Sequence, residues 1–483
     1  MSNGETDFTR RSFLAAGVGS AGLATIGAGQ MASSSRLLPR KPNILFIMAD
    51  DLGYADVSCY GRPDYRTPAI DRLAAEGLRF LQAYANSAVC SATRTGLMTG
   101  RYQNRLPIGL EEPLGGRDVG LPPSHPTLPS LLRKAGYGTM LLGKWHLGAL
   151  PRYGPLKSGY DHFWGFRGGG LDYFNHSLFG TKDLWDDERQ IEQPGYLTDL
   201  LGDRAVAAVE DYAKKGTPFF ISLHFNAPHW PWEGPEDEAE AQRLRNSSNP
   251  LADFHYDGGS QKTFGEMVTR MDFQIGRVLD TLDRLGIADD TIVVFTSDNG
   301  GERYSDTWPF TGRKTELLEG GLRIPAIVRW PRHVPRGVSH DQVMISMDWL
   351  PTLLTAGGGA PDPAYPPDGM DLSNVLLNAA APVPRTLCWR YLNLSQEACR
   401  HGNWKYLKIL DNTFLFDVVE DPMERANLKD RHPDVHAQLV ALYRDWDRRM
   451  LPLDMEANTG GFSARDLADH YGVKEERTFD PPR

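Results

Sequence analysis

Four short apolar runs, each stopping at charged or polar residues, set the strongest limit on what this chain can fold into. "NILFIMADD" ends at Asp50 and Asp51, and "GTMLLGKWHLG" ends at Lys144 and His146. "PFFISLHFNAPHWP" runs from Phe219 to Phe225 and delivers His229 just after, while "TIVVFTSDNGG" ends at Asp298 and Asn299. Runs this short and this apolar suit strands buried on both faces of a sheet. Helical stretches such as "DRAVAAVEDYAKKG" and "TRMDFQIGRVLDTLDRLG" lie between them. The alternation predicts an α/β architecture with helices on both sides of the sheet.

Ligands of open sheets gather at the carboxyl ends of strands. A single Asp-Asp pair there reads as a helix cap or an Asx turn, and Asp298-Asn299-Gly300 alone reads as a simple turn. Four such ends together point to one site. Asp50, Asp51, Asp298 and Asn299 supply oxygen and no sulfur, which suits a hard divalent cation, Ca²⁺ or Mg²⁺. Lys144 and His146 are spaced i, i+2, so an extended segment would point both to one side. Lys314, in "FTGRKTELLEGGLRIP", adds a cation before a helix or turn. A metal among such cations fits a tetrahedral oxyanion ester, phosphate or sulfate.

The fifth element is "NSAVCSATRTGLMTGR", in which Cys90 opens a run that reads as a short helix. Arg94, four residues on, shares its face. A helix N-terminus beside an arginine stabilises negative charge and would lower a thiol pKa or support another anionic nucleophile. The alternative is a buried structural cysteine. With only four cysteines in 483 residues, neither a disulfide framework nor a zinc cluster is expected. The net charge of −10, without a long basic block, argues against nucleic-acid binding.

Residues 1–40 read as an export segment and linker. Arg10 and Arg11 precede Phe13, Leu14 and a Gly/Ala-rich stretch, a combination similar to a bacterial twin-arginine (Tat) signal. This predicts passage through the Tat machinery to the periplasm or beyond the cell, with no stable membrane insertion.

"CSATRTGLMTGR" resembles the signature of the type I sulfatases, in the alkaline-phosphatase superfamily. The resemblance extends through "NILFIMADDLGYADVSCYG", "GYGTMLLGKWHLG", "NAPHWP", "VVFTSDNGG", "GRKTELLEGGLRIP" and "HGNWKYLKI…LFDVVEDPMERANL". It implies a large mixed, mostly parallel central sheet flanked by helices, with a smaller C-terminal antiparallel sheet plus helix. It implies that a formylglycine-generating enzyme converts Cys90 to Cα-formylglycine before folding, and that its hydrate is the nucleophile. By the same resemblance Asp50, Asp51, Asp298, Asn299 and modified Cys90 hold the metal, usually Ca²⁺. Arg94 stabilises the hydrate, and Lys144, His229 and Lys314 grip the sulfate. His229 protonates the leaving alcohol, and His146 takes the proton from the second hydroxyl to expel sulfate. One departure stands at position 92, where the family's commonest core has proline and this chain has Ala92.

The expected organisation is a catalytic domain over 41–380 and an α+β subdomain with its tail over 381–483. Cys388 and Cys399 either pair across two strands or remain two thiols. The loop "GYDHFWGFRGGGLDYFNHSLFGTKDLW", with Asp172, Tyr173 and His176, is either a sugar-binding element or a structural Gly/aromatic loop. "EGPEDEAEAQRLRNSSNPLADFHYDGG" is a rim of the site or a solvated insertion. The expected substrate is a sulfated small molecule or glycan. The rival readings are a phosphatase or phosphodiesterase of the same superfamily, an inactive sulfated-glycan-binding homologue, and a plain thiol nucleophile.

Overall fold

The structure is a computed structural model that describes residues 41–110, 112–113, 118–457 and 459. The expected export segment lies outside them. Ten strands build the main sheet: β1 (Asn43–Ala49), β2 (Leu78–Phe80), β3 (Gly138–Lys144), β4 (His162–Phe166), β5 (Trp185–Asp186), β6 (Arg189–Gln190), β7 (Phe219–His224), β8 (Thr291–Ser297), β9 (Ala326–Arg329) and β10 (Val338–His340). Their order in space is β10–β2–β9–β8–β1–β7–β3–β4–β5–β6. The central five, β8 to β4, run parallel. Antiparallel pairings at β8–β9, β9–β2, β4–β5 and β5–β6 make the sheet mixed.

Seven helices matter here: α1 (Pro68–Glu76), α2 (Cys90–Thr99), α3 (Leu128–Lys134), α4 (Leu197–Lys215), α5 (Gln261–Arg284), α6 (Trp349–Ala356) and α7 (Pro433–Asp447). The period-2 pleat of β1 divides the core between them. Leu45 and Ile47 join Val293, Phe295, Ile221 and Leu223 on one face, beneath α1, α4 and α5. Ile44, Phe46 and Met48 join Phe220 and Val294 on the other, beneath α2, α3 and α6. Both faces of the strand are thus buried, which is why its sequence is uniformly apolar.

Register places the site. Ala49 sits opposite Ser297 and Met48 opposite His224, while His224 sits opposite Gly143. The next residue on three strands is therefore Asp50, Asp298 or Lys144, all at one edge.

Four antiparallel strands, β11 (Thr386–Tyr391), β12 (Gln396–His401), β13 (Trp404–Ile409) and β14 (Asn412–Asp417), form the smaller sheet, against which α7 packs. This sheet belongs to the same compact unit as the main one. The Trp389 indole donates to the Ala85 carbonyl at 2.9 Å. The buried Lys405 ammonium bridges Glu319 and Glu424, each at 2.9 Å. Cys388 and Cys399 face each other across β11 and β12 as free thiols, with Sγ atoms 3.1 Å apart. Among the described residues, no helix is long and apolar enough to cross a membrane.

Candidate active site

Asp50 follows β1 directly, and Asp51 turns the chain back with φ of 60°. Aspartate tolerates this left-handed conformation better than most residues, because its short polar side chain bonds locally. The Asp51 backbone N–H donates to Asp298 Oδ1 at 3.1 Å, fastening the two strand ends together. Lys144 reaches across from β3, its Nζ lying 2.9 and 2.7 Å from the two oxygens of Asp50. Lys314 approaches from the opposite side, with Nζ 2.7 Å from Asp51 Oδ2. Its segment is turn rather than helix, since the short helix begins only at Glu319.

Cys90 is the first residue of α2 and only 1% exposed. Its Sγ lies 3.8 Å from Asp51 Oδ1. Arg94, one turn on, clamps Asp298 through Nε at 3.1 Å and Nη2 at 2.8 Å. The same Nη2 lies 3.7 Å from Asp50. The thiol departs from the sequence-based expectation. Burial raises its pKa well above the ordinary value, and the nearby Lys144 and Lys314 only partly oppose that. Desolvation of a thiolate is the largest influence there.

The histidines are distinct. His229 Nδ1 lies 2.7 Å from the Trp230 carbonyl, which can only accept, so Nδ1 carries hydrogen. Its Nε2 is thereby directed towards the carboxylates, 3.6 Å from Asp51 Oδ2. His146 has φ of 55°, so it reaches the site through a bend after β3 and not through an extended i, i+2 pleat with Lys144. Both of its ring nitrogens are buried and without a hydrogen bond. Burial lowers the pKa of both rings, helped by Lys144 and Lys314. Among the carboxylates, burial pushes Asp298 up, but Arg94 and Lys144 outweigh it and hold it below its ordinary value.

The donor set fits a divalent cation. Asp50, Asp51, Cys90 and His229 each offer a ligand atom, all within 4.8 Å of one another. Asn299 donates through Nδ2 to Asp51 Oδ1 at 2.7 Å and leaves Oδ1 buried and unpartnered. Burial lifts the Asp50 pKa despite Lys144, with Asp298 and Asp51 adding like charge. Crowded carboxylate oxygens beside an orphaned amide oxygen suit a hard metal ion.

The glycine-rich loop lies over both histidines. A Cβ added to Gly169 would sit 2.9 Å from His146 Cε1 and Nε2, and one added to Gly170 would sit 2.9 Å from His229 Cε1. Within the same loop, Asp172 accepts from the backbone N–H groups of Phe174 and Asn175 at 2.8 and 2.6 Å. Tyr173 is fully buried and donates to the His229 carbonyl at 2.9 Å. His176 is buried too.

Three further residues lie outside the sequence expectation. His224 ends β7, with Nδ1 3.2 Å from Arg94 Nη1. The same nitrogen lies 3.2 Å from the Lys144 carbonyl, and burial, with Arg94 adding to it, lowers the ring's pKa to about 3, so the ring is neutral. Glu302 is buried with neither carboxylate oxygen hydrogen-bonded, and burial raises its pKa to about 7. Glu112 shares a three-residue cluster with Cys90 and His146. His224 closes one of the apolar runs and was in plain view. No local pattern marks the other two.

This fold, with a buried nest of carboxylates, cations and a cysteine opening a helix, defines a member of the sulfatase family, to which the chain belongs; the family model matches residues 42–359. Human N-acetylgalactosamine-6-sulfatase is 32% identical over 369 residues, covering 70% of this chain and 66% of that enzyme. The chain thus spans just under two thirds of that relative's length. Human arylsulfatase A is 31% identical over 424 residues, covering 80% of this chain and 79% of that enzyme. Among solved structures, Ps i-CgsB in complex with k-i-k-neocarrahexaose superposes with a TM-score of 0.76 at 31% identity, covering 84% of this chain and 93% of that one.

Proposed function

We propose that this protein hydrolyses the sulfate ester of a sulfated carbohydrate. The observation that carries the reading is the meeting of Cys90, Arg94, Lys144, His146, His229 and Lys314 with four oxygen-bearing strand-end residues in one buried nest. A sugar substrate is supported by two relatives, one named for a sulfated N-acetylgalactosamine and one solved with a neocarrahexaose.

Asp50, Asp51, Asp298 and Asn299 would hold Ca²⁺ or Mg²⁺, which would polarise a sulfate oxygen. Cα-formylglycine made from Cys90 would supply, as its hydrate, a nucleophile with a second hydroxyl for releasing sulfate. Lys144 and Lys314 place two ammonium groups where the ester's negative oxygens must lie. Arg94 keeps Asp298 ionised and holds the mouth of α2 against the strand ends. His229 presents Nε2 inward and, once protonated, passes that proton to the departing sugar oxygen. His146, neutral through burial, is ready to accept a proton. Tyr173 fixes the His229 backbone, so the loop with Asp172 and His176 serves the reaction through that histidine. The balance is ester plus water giving alcohol, sulfate and a proton. Export by the Tat route to the periplasm belongs to the same proposal, supported by Arg10 and Arg11.

Mass spectrometry of the tryptic peptide containing position 90 tests the chemistry. Replacing a thiol by an aldehyde removes about 18 Da. Co-expression with a formylglycine-generating enzyme should yield that mass and release of sulfate from sulfated sugars. An unmodified thiol in active protein would overturn the mechanism.

A further inference from the structure

We propose that an aromatic ledge running outward from His229 is a second carbohydrate subsite, which takes the neighbouring sugar of a sulfated oligosaccharide. The proposal rests on the sulfatase reading above and deepens it from a sulfated sugar to a chain of them.

The ledge begins in the candidate site. The His229 ring lies 4.4 Å from Trp230, Trp230 lies 4.7 Å from Phe254, and Phe254 lies 5.1 Å from Phe179 and 5.8 Å from Tyr256. Exposure rises along it, from 8% at Trp230 to 44% at Phe179 and 39% at Tyr256. It is a contiguous run of rings from His229 to the exposed surface.

Phe179 occupies a costly position. Ser177–Leu178 and Thr181–Lys182 form a hairpin whose two central residues, Phe179 and Gly180, have φ of 46° and 76°. Two positive φ values mark the turn type that favours Asn-Gly or Gly-Gly. A bulky aromatic in that region is an outlier. The chain holds it there through Asp253, which accepts the Phe179 N–H. Strain kept at an exposed ring points to use of the ring.

The surroundings suit a polar sugar better than an oily partner. Arg303 stacks its guanidinium 4.7 Å over Tyr256 and 4.3 Å over Trp232. Two acidic groups of the insertion are ion-paired: Glu240 with Arg243 and His255, and Asp257 with Arg243. A sugar offers C–H faces to the rings and a hydroxyl rim to polar side chains.

The test is isothermal titration of the Cys90→Ala variant, which keeps ligand unhydrolysed, with sulfated carrageenan di-, tetra- and hexasaccharides. Affinity should rise at least tenfold from di- to tetrasaccharide. Phe179→Gly and Tyr256→Ala, each added to that background, should remove most of the gain. Phe179→Gly relieves the turn, so its loss cannot come from weakened folding. Length-independent affinity, or variants that keep the gain, would overturn the proposal. An equal loss of affinity for 4-nitrophenyl sulfate in the variants would overturn it too, marking an aryl pocket. Because binding is read without turnover, a protein releasing no sulfate from any ester would refute the sulfatase reading without touching this measurement.

Discussion

Ala49 of β1 lies directly opposite Ser297 of β8, and this one register delivers Asp50 and Asp298 side by side from positions far apart in the chain. Two carboxylates so placed repel, and Arg94 is the group that reconciles them. Its Nη2 lies 2.8 Å from Asp298 and 3.7 Å from Asp50.

Arg94→Ala should therefore harm both stability and chemistry. Breaking a buried pair by removing one partner costs about 3–5 kcal/mol. Urea unfolding should show a lower midpoint with an unchanged slope, and sulfate release should fall by at least about 100-fold, the scale seen when one preorganised electrostatic contact is deleted. Arg94→Lys should recover part of the stability but little of the rate, because a point charge cannot reproduce the two-pronged contact.

Gly169→Ala should separate catalysis from folding. The new methyl would meet the His146 ring at 2.9 Å, closer than real Cβ atoms come. Expected is a fall in kcat of about tenfold or more with a shifted pH–rate profile, since the ring that moves is the one proposed to accept the proton. Thermal unfolding should change little. An unchanged profile would disconnect the glycine loop from the histidine.

Acid should destabilise the protein through its buried neutral histidines. Burial, with Arg94 adding to it, lowers the His224 pKa from 6.5 to about 3. Between these values the unfolded chain binds a proton that the folded one refuses, so stability falls as pH drops from about 6.5 towards 3. Each unit of the gap is worth about 1.4 kcal/mol. His224→Gln should flatten the slope of unfolding free energy against pH in that window. An identical slope would count against a neutral His224.

Lys405→Met should loosen the smaller sheet. The ammonium is fully buried between Glu319 and Glu424, and its loss strands two carboxylates in the core at a cost of about 3–5 kcal/mol. Hydrogen exchange should rise first in β12 and β13. Exchange rising evenly across both sheets would instead show that the unit unfolds as one.

The sheet was legible because its central strands are buried on both faces and so read as plain apolar runs. The polar residues that end them were legible for the same reason, standing out as soon as the runs stop. Cys90 and Arg94 followed from helical spacing. His146 was found for a partly wrong reason: a left-handed bend brings it in, which alternation cannot foretell. Its glycine cover, Gly169 and Gly170, depends on how a loop folds back over the sheet edge. Of the alternatives for Cys90, a lowered thiol pKa is the one that burial opposes, because a helix end is visible in sequence whereas the depth of its burial is not. Glu302 and the aromatic ledge draw on segments brought together only by the tertiary fold.

A thiol 1% exposed, at the head of a helix seated beneath Asp51, is closed to any other macromolecule once the chain has folded. Whatever acts enzymatically on Cys90 must therefore act first. The active fraction in a preparation would then record a competition between two rates, that of the modifying encounter and that of β8 docking beside β1. Slowing the second, by lower temperature or a destabilised Ser297 edge, should raise the yield of working enzyme without altering a single residue that touches substrate.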